Sequence, residues 1–86
     1  MRYRLDLVLS PSEGALTRVI GMVERRGFTP HSIVGSPAVD DGHWRLQLVV
    51  DGVRPPETLR LQMLKLYDCV SVEINEVDVA EMEVMS

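Results

Sequence analysis

The spacing of apolar residues in this chain switches from two to about 3.6 and back, and does so twice. Such switching confines the fold to strands and helices in turn, and 86 residues give room for one domain. The first segment sets Tyr3, Leu5, Leu7 and Leu9 against Arg4, Asp6 and Val8, the pattern of a half-buried strand. Ser10-Pro11-Ser12-Glu13 then reads as a helix start. Either Ser10 caps it, with Pro11 at the first helical position and Glu13 closing a capping box, or Ser12 caps it two residues later. Leu16, Val19, Ile20 and Val23 form the apolar stripe of this helix, which Arg25, Arg26 and Gly27 bring to a close.

From Thr29 to Val39 the pattern is strand-like, but Pro30, Gly35 and Pro37 interrupt it, which predicts bulges or an edge position. Asp40-Asp41-Gly42 is a hairpin signal, followed by a strand from His43 to Asp51 with Trp44, Leu46, Leu48 and Val50 on one face. Tyr3 and Trp44 are expected to point into the core, with the rim as the alternative for Trp44. Pro56 opens a second helix whose stripe is Leu59, Met63 and Leu66, flanked by Leu61 and Leu64. The last strand, Cys69 to Val77, turns Val70, Val72 and Ile74 inward against Ser71, Glu73 and Asn75. The order strand–helix–strand–strand–helix–strand predicts a ferredoxin-like α+β sandwich, with two helices on one face of a four-stranded antiparallel sheet.

Charge narrows the partners. The formal net charge is −4, a poor balance for a phosphate-backbone binder. Residues 1–65 hold all the basic side chains and stand at +2, whereas 66–86 hold six acids and no base, at −6. No apolar run approaches the roughly 20 residues of a membrane span, and none follows Arg2 and Arg4 as a signal peptide would. A lone cysteine, Cys69, permits no internal disulfide and suits a reducing compartment. The expectation is a soluble cytoplasmic protein that engages neither nucleic acid nor membrane.

Little in the sequence supports chemistry. His31 and His43 have no cysteine nearby and read as exposed polar residues, while Asp40 and Asp41 read as turn formers. Cys69 reads as a small core residue. No catalytic residue and no metal ligand is expected. The central strands lack the aromatic stacking pairs by which a well-known RNA-binding module of this topology holds bases. The first loop lacks the Cys-x-x-Cys of metal chaperones and the arginine-bearing phosphate cradle of acylphosphatases. That loop's backbone N–H groups could hold a small anion such as an amino-acid carboxylate, or could simply begin a capped helix.

Three runs carry a family resemblance: Gly14-Ala15-Leu16-Thr17-Arg18-Val19, then Arg25-Arg26-Gly27-Phe28 with Ser32-Ile33, and Lys65-Leu66-Tyr67-Asp68-Cys69-Val70. Together they resemble the ACT domain of the small, regulatory subunit of acetohydroxyacid synthase (acetolactate synthase). Its pattern is approximately Asn-x-x-Gly-Val-Leu-x-Arg-Val, Arg-Gly-Phe-Asn and Lys-Leu-x-Asp-Val. The resemblance covers roughly residues 3–76. It implies an ACT domain over 1–77 with an acidic tail over 78–86, closest to the short, single-domain form of the subunit.

By the same resemblance the chain is non-catalytic and carries no cofactor. Its partner is the catalytic large subunit, which holds thiamine diphosphate, FAD and magnesium at the head of branched-chain amino-acid synthesis. A homodimer through the ACT sheets is implied as well. An effector loop comprising Ser12, Glu13, Gly14, Ala15 and Leu16, with Thr29 and Pro30, could hold an amino acid. Two asparagines that grip valine in feedback-inhibited relatives are Pro11 and Thr29 here, which predicts weak or absent valine inhibition. The alternative reading is an ACT domain that senses an amino acid for a different enzyme.

Overall fold

In the computed structural model, which describes residues 1–36 and 42–77, six elements follow one another in the expected order. They are β1 (Arg2–Leu9), α1 (Ala15–Arg25), β2 (Thr29–Ser36), β3 (Trp44–Asp51), α2 (Pro56–Leu64) and β4 (Cys69–Glu76). The strands form one antiparallel sheet in the order β2-β3-β1-β4. Hence β1 is central, and its alternation is strict: Tyr3, Leu5, Leu7 and Leu9 are all buried. Both helices press on that face, placing Val19, Met22, Val23, Leu59 and Met63 in the same core as Leu46, Leu48 and Val50. The fold is the four-stranded, two-helix ferredoxin-like sandwich that the residue pattern called for.

Strand β2 is both an edge and irregular, as its prolines and glycine require. Its register against β3 shifts between Pro30 and Ser32, where a chain lacking one N–H cannot continue the ladder. Gly27 closes α1 with φ +85°, and Phe28 dives into the core to meet Tyr3 edge-on at 6.2 Å between ring centres. Phe28 fits because Gly52 lies against its ring, where a Cβ would collide with it. Among the described residues no helix is long and apolar enough to cross a membrane. Asp40, Asp41 and the tail from Asp78 onward lie outside the described residues.

Five local expectations are corrected. Helix α1 starts at Ala15, capped by Gly14 without a side-chain hydrogen bond, so neither Ser10 nor Ser12 caps it. Its buried face is Ala15, Val19, Met22 and Val23, while Leu16 is 41% exposed. Two stripes overlapped at Val19 and Val23, and packing chose the one starting at Ala15. In β4, a bulge opposite Val8 and Leu9 pairs Leu9 with Cys69 and skips Val70, which is therefore exposed. Trp44, the first residue of β3, takes the rim at 43% exposure. Leu66 lies past the end of α2 yet still packs on the core.

The contact at Gly52 sets up a test. Gly52→Ala forces the buried Phe28 ring to shift and should cost about 1–3 kcal/mol in urea unfolding. Val53→Ala, at a neighbouring exposed residue, should stay within about 0.5 kcal/mol of wild type.

Candidate functional site

The loop between β1 and α1 is fixed by a carboxylate fifty residues away. Asp68, immediately before β4, is 1% exposed and is the buried acid among the described residues. Its backbone carbonyl accepts from Ser10 N–H at 2.8 Å, which joins the end of β1 to the start of β4. Arg18 donates to Asp68 Oδ2 from Nε at 3.0 Å and from Nη2 at 2.5 Å, and Ser12 Oγ donates to the same oxygen at 3.1 Å. Arg18 Nη2 also reaches the Glu13 carbonyl at 2.9 Å and Ser12 Oγ at 3.1 Å. The Tyr67 ring covers the guanidinium, 4.8 Å from Cζ to the ring centre.

Gly14 makes this arrangement possible in two ways. Its φ of +79° is costly for any residue with a Cβ, and a Cβ would also stand 2.9 Å from Arg18 Nη1. The arginine therefore lies flat over the glycine. Burial pushes the Asp68 carboxyl up, but hydrogen bonds from Arg18 and Ser12 outweigh it and hold the group below its ordinary value. Its second oxygen, Oδ1, is buried without a hydrogen-bond partner.

The expected effector residues fall into two groups. Ser12, Glu13, Gly14, Ala15 and Leu16 stand together at the end of the sheet where Leu9 faces Trp44. There the Ser12 hydroxyl and the Glu13 carbonyl are engaged by Asp68 and Arg18, and Ala15 is buried in the core. Thr29 and Pro30 stand at the opposite end of β2, opposite Asp51 and Val50. At about 3.3 Å per residue, a strand of this length keeps the two groups roughly 20 Å apart within one chain.

Beside the loop runs an apolar groove of about 340 Å³, lined by Leu9, Leu16, Ile33, Gly35, Ser36, Trp44 and Leu46. Leu16 is the member of the expected set that borders it. The sequence reading missed this groove because it assigned Leu16 to the core stripe. Nothing local in the sequence ties Arg18 to Asp68. The signal that was present is the joint occurrence of Gly14, Arg18 and Asp68 in the motif runs. His31 Nδ1 lies 3.9 Å from Asp51 Oδ2, and among the described residues no three His, Cys, Asp or Glu side chains form a metal-holding group.

A glycine-shaped loop at a helix start, an open groove and a sheet covered on one face by helices define a small α+β module of the ferredoxin-like class. The family model for the ACT domain matches residues 11–72, and the chain belongs to the ACT-domain family. ACT domains are regulatory modules that perform no catalysis themselves. Among solved structures, the chain is similar to the acetolactate synthase small subunit of Thermotoga maritima, with 25% identity and a TM-score of 0.75. That match covers 86% of this chain and 47% of the other, so the chain spans about half the length of that relative. It is also similar in fold to the ACT domain of a GTP pyrophosphokinase from Chlorobium tepidum, with 18% identity, a TM-score of 0.67 and coverage of 87% and 97%. An ACT domain protein from Streptococcus pneumoniae matches at 23% identity and a TM-score of 0.61, over 100% and 98% of the two chains.

Asp68→Asn removes the charge that holds Arg18. It should cost about 2–3 kcal/mol, less than a fully buried pair because about a third of Arg18 stays in solvent. The pH dependence has a fixed sign. The unfolded chain protonates Asp68 near pH 3.9, whereas the folded chain resists until lower pH. The stabilisation is thus complete above about pH 4 and is lost as pH falls through the folded value. Urea midpoints measured from pH 6 to pH 2.5 should fall more steeply for wild type than for Asp68→Asn.

Proposed function

We propose that the chain is a regulatory small subunit of acetohydroxyacid synthase that activates the catalytic large subunit and responds weakly or not at all to valine. The observation that carries this reading is the likeness to the Thermotoga maritima acetolactate synthase small subunit in both fold and sequence. The catalytic subunit supplies the thiamine diphosphate, FAD and magnesium, and the complex works in the cytoplasm. This chain contributes a docking surface, and docking orders the large subunit's active site as a coupling between two surfaces.

Insensitivity to valine is supported by Pro11 and Thr29. Proline offers neither a side-chain polar group nor an N–H, and threonine lacks the paired donor and acceptor of an amide. An amino-acid headgroup left unpaired at such a position costs about 1–3 kcal/mol per group. A homodimer joins two copies along the edge strand β2. Antiparallel pairing there carries the partner's Thr29 and Pro30 toward the Ser36 end of β2, beside the loop at Gly14. The two halves of the effector set, distant within one chain, then meet across the dimer.

A second reading is an amino-acid sensor for another enzyme, favoured by the apolar groove at Leu16, Ile33 and Trp44, which suits an aliphatic or aromatic side chain.

Acetolactate formation by the cognate large subunit, with and without this chain and with and without valine, tests the proposal. Activation that valine leaves intact is the expected result, and Pro11→Asn with Thr29→Asn should then introduce valine inhibition. Activation abolished by valine in the wild type overturns the insensitivity. Absence of activation overturns the assignment in favour of the sensor.

A further inference from the structure

At the end of the sheet away from the Gly14 loop, the C-terminus of α1 and the N-terminus of α2 flank an open hollow of about 280 Å³ lined by Arg25, Arg26, Arg54, Pro55 and Thr58. Three arginines around one hollow are unexpected in a chain of net charge −4. Arg26 is oriented by a hydrogen bond from Nη2 to Gln62 Oε1 at 2.9 Å, which joins the two helices. Arg54 lies across Gly27, where a Cβ would stand 2.6 Å from Arg54 Nε. Arg25 reaches back along α1 toward Gly21.

Among the described residues neither Arg25 nor Arg54 is paired with a carboxylate. Glu57, the acid in the first turn of α2, is held by Arg60 through three hydrogen bonds and leaves the cluster unneutralised. The chain enters α2 through Pro55 and Pro56 with no side-chain cap, so the first-turn N–H groups at Glu57 and Thr58 have no partner from a capping residue.

We propose that this hollow binds a compact phosphate-class anion, with Arg54 and Arg25 as the charged grips, Arg26 as the oriented wall and the Thr58 hydroxyl and first-turn amides as further donors. Guanidinium forks match phosphate oxygens in pairs, and the helix start adds positive potential in the same direction. Several guanidinium groups border the hollow, so pyrophosphate, with more charge and more oxygens than orthophosphate, has more to set against them. The site lies at the far end of the sheet from the groove at Leu16 and is independent of the reading given under Proposed function.

Inorganic pyrophosphate titrated into the ¹⁵N-labelled full chain at low ionic strength, followed by amide shifts, tests the site. Saturable shifts confined to Gly27, Arg54, Glu57 and Thr58 are expected, with orthophosphate weaker. Arg54→Gln should weaken binding about tenfold, Arg54→Lys should restore part of it, and Arg25→Gln with Arg54→Gln should abolish saturation. Arg4→Gln, on the open face of the sheet, should leave the affinity unchanged. Dispersed spectra of each variant establish that it folds. No saturable shift in wild type, as for a patch that instead docks an acidic protein, overturns the proposal. An equal loss in Arg4→Gln, the mark of diffuse attraction to positive charge, overturns it as well.

Discussion

The ion pair between Arg18 and Asp68 is the constraint on which the Gly14 end of this domain depends. It joins the first turn of α1 to the chain just before β4, and it runs directly over Gly14. A loop from Ser10 to Gly14 has few apolar groups to bury and cannot hold a shape by packing. A desolvated carboxylate supplies the missing order, because an acid in that position is tolerable only while its cation stays in place. Ser12, Glu13 and Gly14 are thereby fixed by one arginine. Tyr67 closes the outer side of the arginine, so water competes with the carboxylate from one direction fewer.

The fold was legible because its determinants are local and redundant. Strict alternation along β1, the Gly27 stop and the prolines of β2 each point to one conformation, and packing agrees with all of them. Where two local patterns were almost equivalent, the sequence could not choose. The stripe through Leu16 and Ile20 and the stripe through Ala15 and Met22 share Val19 and Val23, and only the layer beneath α1 separates them. Likewise Val70 fits the inward alternation of β4 until the bulge opposite Leu9 advances Cys69 into its place.

The candidate site was legible in its backbone and opaque in its side chains. Gly14 marked the loop, but the partner of Arg18 lies in another element, and a pair separated by fifty residues leaves no periodic trace. The expected helix cap at Ser12 failed for a related reason. Its hydroxyl satisfies Asp68 rather than the helix, and a glycine in a left-handed conformation takes over the cap. The groove beside it is the counterpart of that choice: the side of α1 that the core does not need presents Leu16 toward Ile33 and Trp44.

The broken register of β2 also restricts how any further strand can align along this edge. A regular edge offers a neighbouring strand many equivalent alignments, and a sliding fit of that kind leads to fibres as readily as to pairs. Here the irregularity between Pro30 and Ser32 bends the strand. An incoming strand therefore finds a short run of regular backbone with a marked end, and alignments shifted along it forfeit hydrogen bonds. The edge behaves like a slot with a stop at one end, which shields a small, incompletely covered sheet from indiscriminate growth.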